Sequence, residues 1–278
     1  MTPNTSFCRK EKKFIILEHT FHEIQEKITK HIPIHTFNEG FPNTLIETTY
    51  LDDANFTLFH EYLRKRNFRF KIRMRRYGYG SEISDVYWVE LKVKQNSISS
   101  KKRFILPGEL LEQFIKGKDI SKEIKKANEG LVGAQKTYKV IRKLISLCNL
   151  KPVLQTSYER VAFQKKSKKI RITVDRNITH KKLVGASKID ELDAIILESK
   201  ISGKTPQWYG KMENKLSLLR QRRFSKYVSG INAIYFPKRG KYNFSNGDSF
   251  ANKDLPECIV ESHQLLQKKL NLEKIELK

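Results

Sequence analysis

The chain has 278 residues, and its 55 Lys and Arg against 30 Asp and Glu give a formal charge of +25. An apolar content of 38% allows a core, yet no apolar run approaches the roughly 18 residues of a membrane-spanning helix. Cys8, Cys148 and Cys258 are odd in number and far apart, which argues against a disulfide framework or a thiolate metal site; with no signal-peptide pattern at the start, a cytoplasmic protein is expected.

The first predicted strand covers residues 11–17, with Glu11 and Lys13 on one face. A helix over Thr20–His31 follows, with Phe21, Ile24 and Ile28 at helical spacing. A β-rich run at 44–50 leads to Asp53, the expected N-cap of a helix that carries Phe56, Leu58, Phe59 and Leu63. Residues 68–77 carry the most informative pattern: Phe68, Phe70, Ile72 and Met74 alternate with Arg69, Lys71, Arg73 and Arg75. Strand side chains alternate between faces, so one face holds four cations and nothing to neutralise them. Such a face predicts a bound polyanion.

The design recurs. Residues 86–94 set Trp88, Glu90, Lys92 and Lys94 against Tyr87, Val89, Leu91 and Val93, and residues 101–106 put Lys101 and Arg103 together. From about 107 to 150 the spacing is helical, with Tyr138, Ile141, Leu144 and Ile145 in line, which predicts a helical insertion in a β framework. Strands resume at 157–164, 168–174 and 194–201. Tyr158 shares a face with Arg160, Arg171 with Thr173 and Asp175, and Glu198 with Lys200. Pro206 is expected to open a helix running through Leu219, residues 236–254 to form a polar loop, and a last amphipathic helix to lie near Val260–Leu272.

Eight strands, most of them charged on one face only, predict an α+β fold: an antiparallel eight-stranded β tunnel barrel with a basic lumen and helices packed outside. A flat sheet would instead offer these faces to nucleic acid, but long aromatic-poor basic faces lack the stacking platforms that single strands use, so no nucleic acid partner is expected. Two glycine motifs carry no weight. Gly203-Lys204-Thr205 has Glu198, not glycine, five residues before Gly203, and Gly78-Tyr79-Gly80 lacks a third glycine.

Eight short motifs occur in order: Glu11-Lys12-Lys13-Phe14, Arg73-Met74-Arg75-Arg76-Tyr77-Gly78, Glu90-Leu91-Lys92, Lys101-Lys102-Arg103-Phe104, Tyr158-Glu159-Arg160, Ile170-Arg171-Ile172, Leu197-Glu198-Ser199-Lys200 and Phe224-Ser225-Lys226. Together, over about residues 9–231, they resemble the vacuolar transporter chaperone (VTC) domain, a polyphosphate polymerase of the triphosphate tunnel metalloenzyme (CYTH-like) superfamily. The resemblance implies a phosphotransferase that passes the γ-phosphate of ATP to a growing inorganic polyphosphate chain held in the tunnel. It makes Arg73, Arg75, Lys92, Arg160, Arg171 and Lys200 catalytic cations, and Lys13, Lys101, Tyr158, Arg223, Ser225 and Lys226 phosphate contacts. Arg223 stands where the eukaryotic pattern has a lysine. Glu198 matches the family's carboxylate for Mn²⁺ or Mg²⁺; Glu11 and Glu90 are secondary metal candidates, equally readable as salt-bridge partners of Lys13 and Lys92. Residues 1–231 are then the catalytic domain, with an insertion at about 107–150, and 232–278 a loop plus C-terminal helix or tail. The family's complexes add a phosphate-sensing domain and transmembrane helices that this sequence does not encode, so a membrane-protein partner stays open. So do two other functions: a metal-dependent triphosphatase of the same superfamily, and a non-catalytic module binding polyphosphate or RNA.

Overall fold

The computed structural model describes residues 9–36, 40–80, 82–96, 98–165, 167, 169–215, 219–220, 224–237 and 256–270. Eight long strands account for the alternating stretches: β1 (Arg9–Ile16), β2 (Asn43–Asp52), β3 (Phe68–Tyr79), β5 (Val86–Gln95), β6 (Ile98–Pro107), β7 (Lys151–Lys165), β8 (Ile170–Lys182) and β10 (Ile195–Ser202). Three short ones, β4 (Glu82–Ile83), β9 (Ile189–Leu192) and β11 (Leu219–Arg220), pair at the margins. All belong to one antiparallel sheet in the order β11-β1-β10-β8-β7-β2-β3-β5-β6. The sheet curls until side chains of β1 and β5 line one cavity. Among the described residues no ladder joins β6 to β1, so the sheet curls around the tunnel without closing into the expected hydrogen-bonded barrel.

The apolar faces point outward, under helices. The even-numbered residues Phe68, Phe70, Ile72 and Met74 of β3 pack with Val89, Leu91 and Val93 of β5 and Phe104 and Leu106 of β6. The insertion covers them with α3 (Leu111–Ile115), α4 (Ser121–Ala127) and α5 (Ala134–Leu147), through Phe114, Ile124, Tyr138, Ile141 and Leu144. It is broken into short helices because Gly117, Gly130 and Gly133 adopt φ of +74°, +79° and +81°, conformations that end or precede a helix. The C-terminal helix α8 (Glu257–Leu270) adds Ile259 and Leu266 to the same cluster. Each such burial contributes about 1.5–3 kcal/mol, and emptying a position such as Phe104 to alanine costs about 3–5 kcal/mol.

On the opposite wall, α1 (Glu18–Thr29) and α6 (Gln207–Lys215) cover β1, β7, β8 and β10 through Phe21, Ile24, Ile28, Tyr209 and Met212. Here α6 ends at Lys215 and the chain returns to the sheet, so the helix expected to run through Leu219 is shorter: Leu219 is in β11, paired with Ile15. The free edge of β6 is covered at Ile105, whose N–H donates to Asn128 Oδ1 (2.6 Å) and whose carbonyl accepts from Nδ2 (2.8 Å). One asparagine thus stands in for a neighbouring strand.

A third group of elements closes around the tunnel. Helix α2 (Thr57–Leu63) and helix α7 (Lys226–Tyr235) pack together through Phe59, Tyr227, Val228 and Ile231. The N-cap of α2 is Phe56, in a left-handed conformation with φ of +54°, and not the expected Asp53. Asp53 still accepts from the Thr57 N–H (2.8 Å), and the oxygens of Asp52 accept from the N–H groups of Leu58 (2.9 Å) and Phe59 (3.0 Å). Most of the loop expected at 236–254 lies outside the described residues.

Candidate functional site

The inward strand faces enclose a cavity of about 790 Å³. Twelve Lys or Arg side chains and only two carboxylates, Glu11 and Glu198, line it. That ratio makes the interior strongly electropositive, as a polyanion site would need. The sequence-predicted residues Glu11, Lys13, Arg73, Arg75, Lys92, Tyr158, Arg160, Glu198, Ser225 and Lys226 are all in its wall. They come from β1, β3, β5, β7, β10 and the start of α7, so only the curl of the sheet brings them together.

Four carboxylates, Glu11, Glu198, Asp175 and Glu90, organise the cations. On the β1–β10 ladder Lys13 lies opposite Glu198, and Glu11 opposite Lys200. The four form a square, with Lys200–Glu198 at 2.7 Å, Lys13–Glu11 at 3.4 Å, Lys13–Glu198 at 3.6 Å and Lys200–Glu11 at 3.7 Å. Burial opposes ionisation of Glu198, but Lys13 and then Lys200 outweigh it and hold the carboxyl well below its usual range. Lys13 Nζ also donates to the Phe224 carbonyl (3.1 Å).

Asp175, fully buried, takes both Arg160 Nε (2.6 Å) and Nη2 (2.8 Å), and Lys226 Nζ (2.5 Å) as well. Burial would raise its pKa; Arg160 and Lys226 bring it down to about 2. Arg160 and Lys226 both stand over the Tyr158 ring, at 5.3 and 4.5 Å. Burial pushes the Tyr158 phenol up, and Arg75 with Arg160 more than reverses this. Arg75 is itself buried, with Nε donating to Thr48 Oγ1 (3.2 Å).

Glu90 is bound by Arg73 Nη2 (2.6 Å) and Lys101 Nζ (3.0 Å), not by Lys92, the partner its sequence position indicated. Against the effect of burial, Arg73, Arg75 and Lys101 lower its pKa to about 2. Lys101 stands half-exposed on β6, and Arg171 lies opposite Lys200 on the β8–β10 ladder, on the face of Thr173 and Asp175. Glu90, Lys200 and Lys101 thus stand beside the wall residues Arg73, Glu198 and Lys92 without lining the cavity, and Arg171 lies one strand beyond, next to Lys200. Arg223 lies outside the described residues.

The structure adds residues to the predicted set. Asp175 holds two predicted cations and was legible only as a member of the Arg171 face, since its partner Lys226 is 51 residues away. Lys71 was legible as part of the cationic face of β3. It is half-buried in the cavity wall, 4.0 Å from the Tyr62 ring and 3.3 Å from Ser225 Oγ.

Among the described residues there is no cluster of three or more His, Cys, Asp or Glu side chains. Glu198 is a hard, ionised oxygen donor with Glu11 beside it, whereas Glu90 is enclosed by its cations. The set fits an ion of the Mg²⁺ or Mn²⁺ kind that binds through one or two carboxylates and completes its shell with phosphate oxygens.

The family profile described as "VTC domain" matches residues 8–235. A "Vacuolar transporter chaperone complex subunit 4" of Trypanosoma brucei brucei is 27% identical over 277 residues, covering 82% of this chain and 35% of the relative. The subunit 4 of Schizosaccharomyces pombe is 23% identical, over 84% of this chain and 38% of the relative. The chain thus spans little more than a third of the length of these curated relatives. Among solved structures, the PH1819 protein of Pyrococcus horikoshii aligns over 79% of this chain and 96% of its own, with 14% identity and a TM-score of 0.39.

Proposed function

The chain belongs to the VTC domain family, and from that premise we propose that it is a polyphosphate polymerase that uses ATP and a divalent cation. The observation that carries this reading is the convergence of twelve cations on one cavity whose two carboxylates sit side by side on neighbouring strands. A terminal oxygen of the polyphosphate chain attacks the γ-phosphorus of ATP; the bond from that phosphorus to the β–γ bridging oxygen breaks, and ADP leaves. Such transfer asks the protein for positioning and charge neutralisation more than for covalent chemistry.

In this reading Arg160, Lys226 and Arg73 are stabilisers fixed in advance, because Asp175 and Glu90 hold them before substrate arrives. Arg75 and Tyr158 extend that surface, and Lys13, Lys92 and Ser225 grip the chain at other phosphates. Lys101, Lys200 and Arg171, which do not line the cavity, add positive charge around it. A bound divalent cation would neutralise charge on the transferred group. Glu198, with Glu11 second, would hold it.

The test is to incubate purified protein with γ-labelled ATP and Mn²⁺ and resolve the products on a gel. A ladder of chain lengths is expected. Free phosphate alone would make the protein a triphosphatase, and no turnover with retained binding a polyphosphate-binding module. In the same assay Glu198→Gln should shift the Mn²⁺ requirement to higher concentration; an unchanged metal curve removes Glu198 as ligand.

A further inference from the structure

The β3–β5 ladder sets Lys71 directly opposite Lys92, and both line the cavity. Directly opposed like charges destabilise a sheet. Three neighbouring cations of the tunnel have carboxylate partners: Arg73 has Glu90, Arg160 has Asp175, and Lys13 has Glu198 and Glu11. The Lys71 ammonium has instead the faces of Tyr62 (4.0 Å) and Tyr227 (5.0 Å), and the Ser225 hydroxyl (3.3 Å). Those groups hold a cation weakly and leave its charge uncompensated.

We propose that Lys71 and Lys92 form a phosphate subsite in which Lys71 takes up a proton as the anion binds, so that the tunnel loads phosphate together with a proton. This rests on the polyphosphate reading above. Around Lys71 stand Lys92 from β5, Arg69 and Arg73 from its own strand, Lys13 from β1, Tyr62 from α2, and Ser225 and Tyr227 at the start of α7. Burial, followed by Lys92 and the other cations, pulls the Lys71 pKa well below its ordinary value. A phosphate among these groups reverses the sign of the local field. It restores the ammonium, and the proton comes from solvent. Lys71 thereby acts as a binding residue whose charge is complete only in the loaded tunnel.

Calorimetric titration of inorganic tripolyphosphate, in buffers of different ionisation enthalpy between about pH 7 and pH 9, reads the proton balance directly. Two variants separate charge from titration. Lys71→Arg keeps a permanent cation, because a guanidinium does not deprotonate in this range. It should bind tripolyphosphate while taking up fewer protons than the wild type, by a measurable fraction of one per molecule. Lys71→Met should bind about 10-fold more weakly or worse, as for the loss of one charge-assisted contact, yet melt higher than the wild type without ligand, because folding no longer has to strip a solvated ammonium of its proton. Equal proton balances for wild type and Lys71→Arg overturn the inference, as does Lys71→Met binding as tightly as wild type. Absence of tripolyphosphate binding by the wild type overturns both this inference and the functional reading beneath it.

Discussion

Arg73 serves two ends that can be separated. It faces the cavity, and it is the main partner of Glu90, whose side chain is only 2% exposed. Removing it deletes a stabiliser of developing charge and leaves a buried carboxylate held by Lys101 alone. Arg73→Ala should therefore lower turnover about 100-fold and also destabilise the fold, by ~3–5 kcal/mol at most for a buried pair with one member removed. Adding Glu90→Gln to Arg73→Ala should recover part of the stability and none of the activity. Turnover and denaturant midpoints of the two variants check this. Recovery of both together would make Arg73 a purely structural residue.

Between α2 and α7 the coupling runs through one carboxyl group. Asp52 is fully buried, accepts the N–H groups of Leu58 and Phe59 in the first turn of α2, and receives the Tyr227 hydroxyl from the first turn of α7. Burial raises its pKa to about 7, against the lowering effect of the Tyr227 and Leu58 hydrogen bonds. Because the folded value lies above the unfolded one of 3.8, the folded state keeps a proton that the unfolded state releases. This contribution to stability is fully present below 3.8 and is lost as pH rises to about 7. Asp52→Asn has nothing to titrate, so its stability should not fall between about pH 5 and pH 7.5, while that of the wild type does. It should also be less stable overall, by ~1–3 kcal/mol, because an amide nitrogen cannot accept the hydrogen bond that a carboxylate oxygen took. Urea unfolding followed across that pH range decides it; parallel slopes would remove Asp52 as the cause.

At the scale of the molecule, a charge of +25 is gathered partly inside the sheet, where self-repulsion opposes folding. An anion that enters the tunnel relieves it. Tripolyphosphate at about a hundredfold excess over its Kd should add ~2.7 kcal/mol and raise Tm by roughly 5–10 °C. Sodium chloride at equal ionic strength should do much less, since screening acts weakly on enclosed charges. Equal shifts from both would mean a diffuse surface effect and no enclosed site.

Period-two alternation is local, so the sequence alone located the eight long strands, the charged face of most of them and the need for helices over the apolar faces, but not the start of β7 at Lys151 or the extension of β8 to Lys182. The helical character of 107–150 was legible for the same reason, although its division into short helices at Gly117, Gly130 and Gly133 depended on the backbone conformation adopted there. Only the tertiary structure decided which charges meet. Glu90 lies as close in sequence to Lys92 as a strand face allows, yet it binds Arg73 and Lys101, because those lie on the neighbouring strands of its own face. Asp175 meets Arg160 through the β7–β8 register and Lys226 through the docking of α7, and Asp52 reaches Tyr227 across 175 residues. Lys71 faces Lys92 only because the β3–β5 register sets them opposite; a slip of one residue would send one of them to the apolar side. Composition and alternation state which face is charged. Register, the curl of the sheet and long-range packing choose the partners, and partners decide whether a cation is held by the protein or left for a ligand.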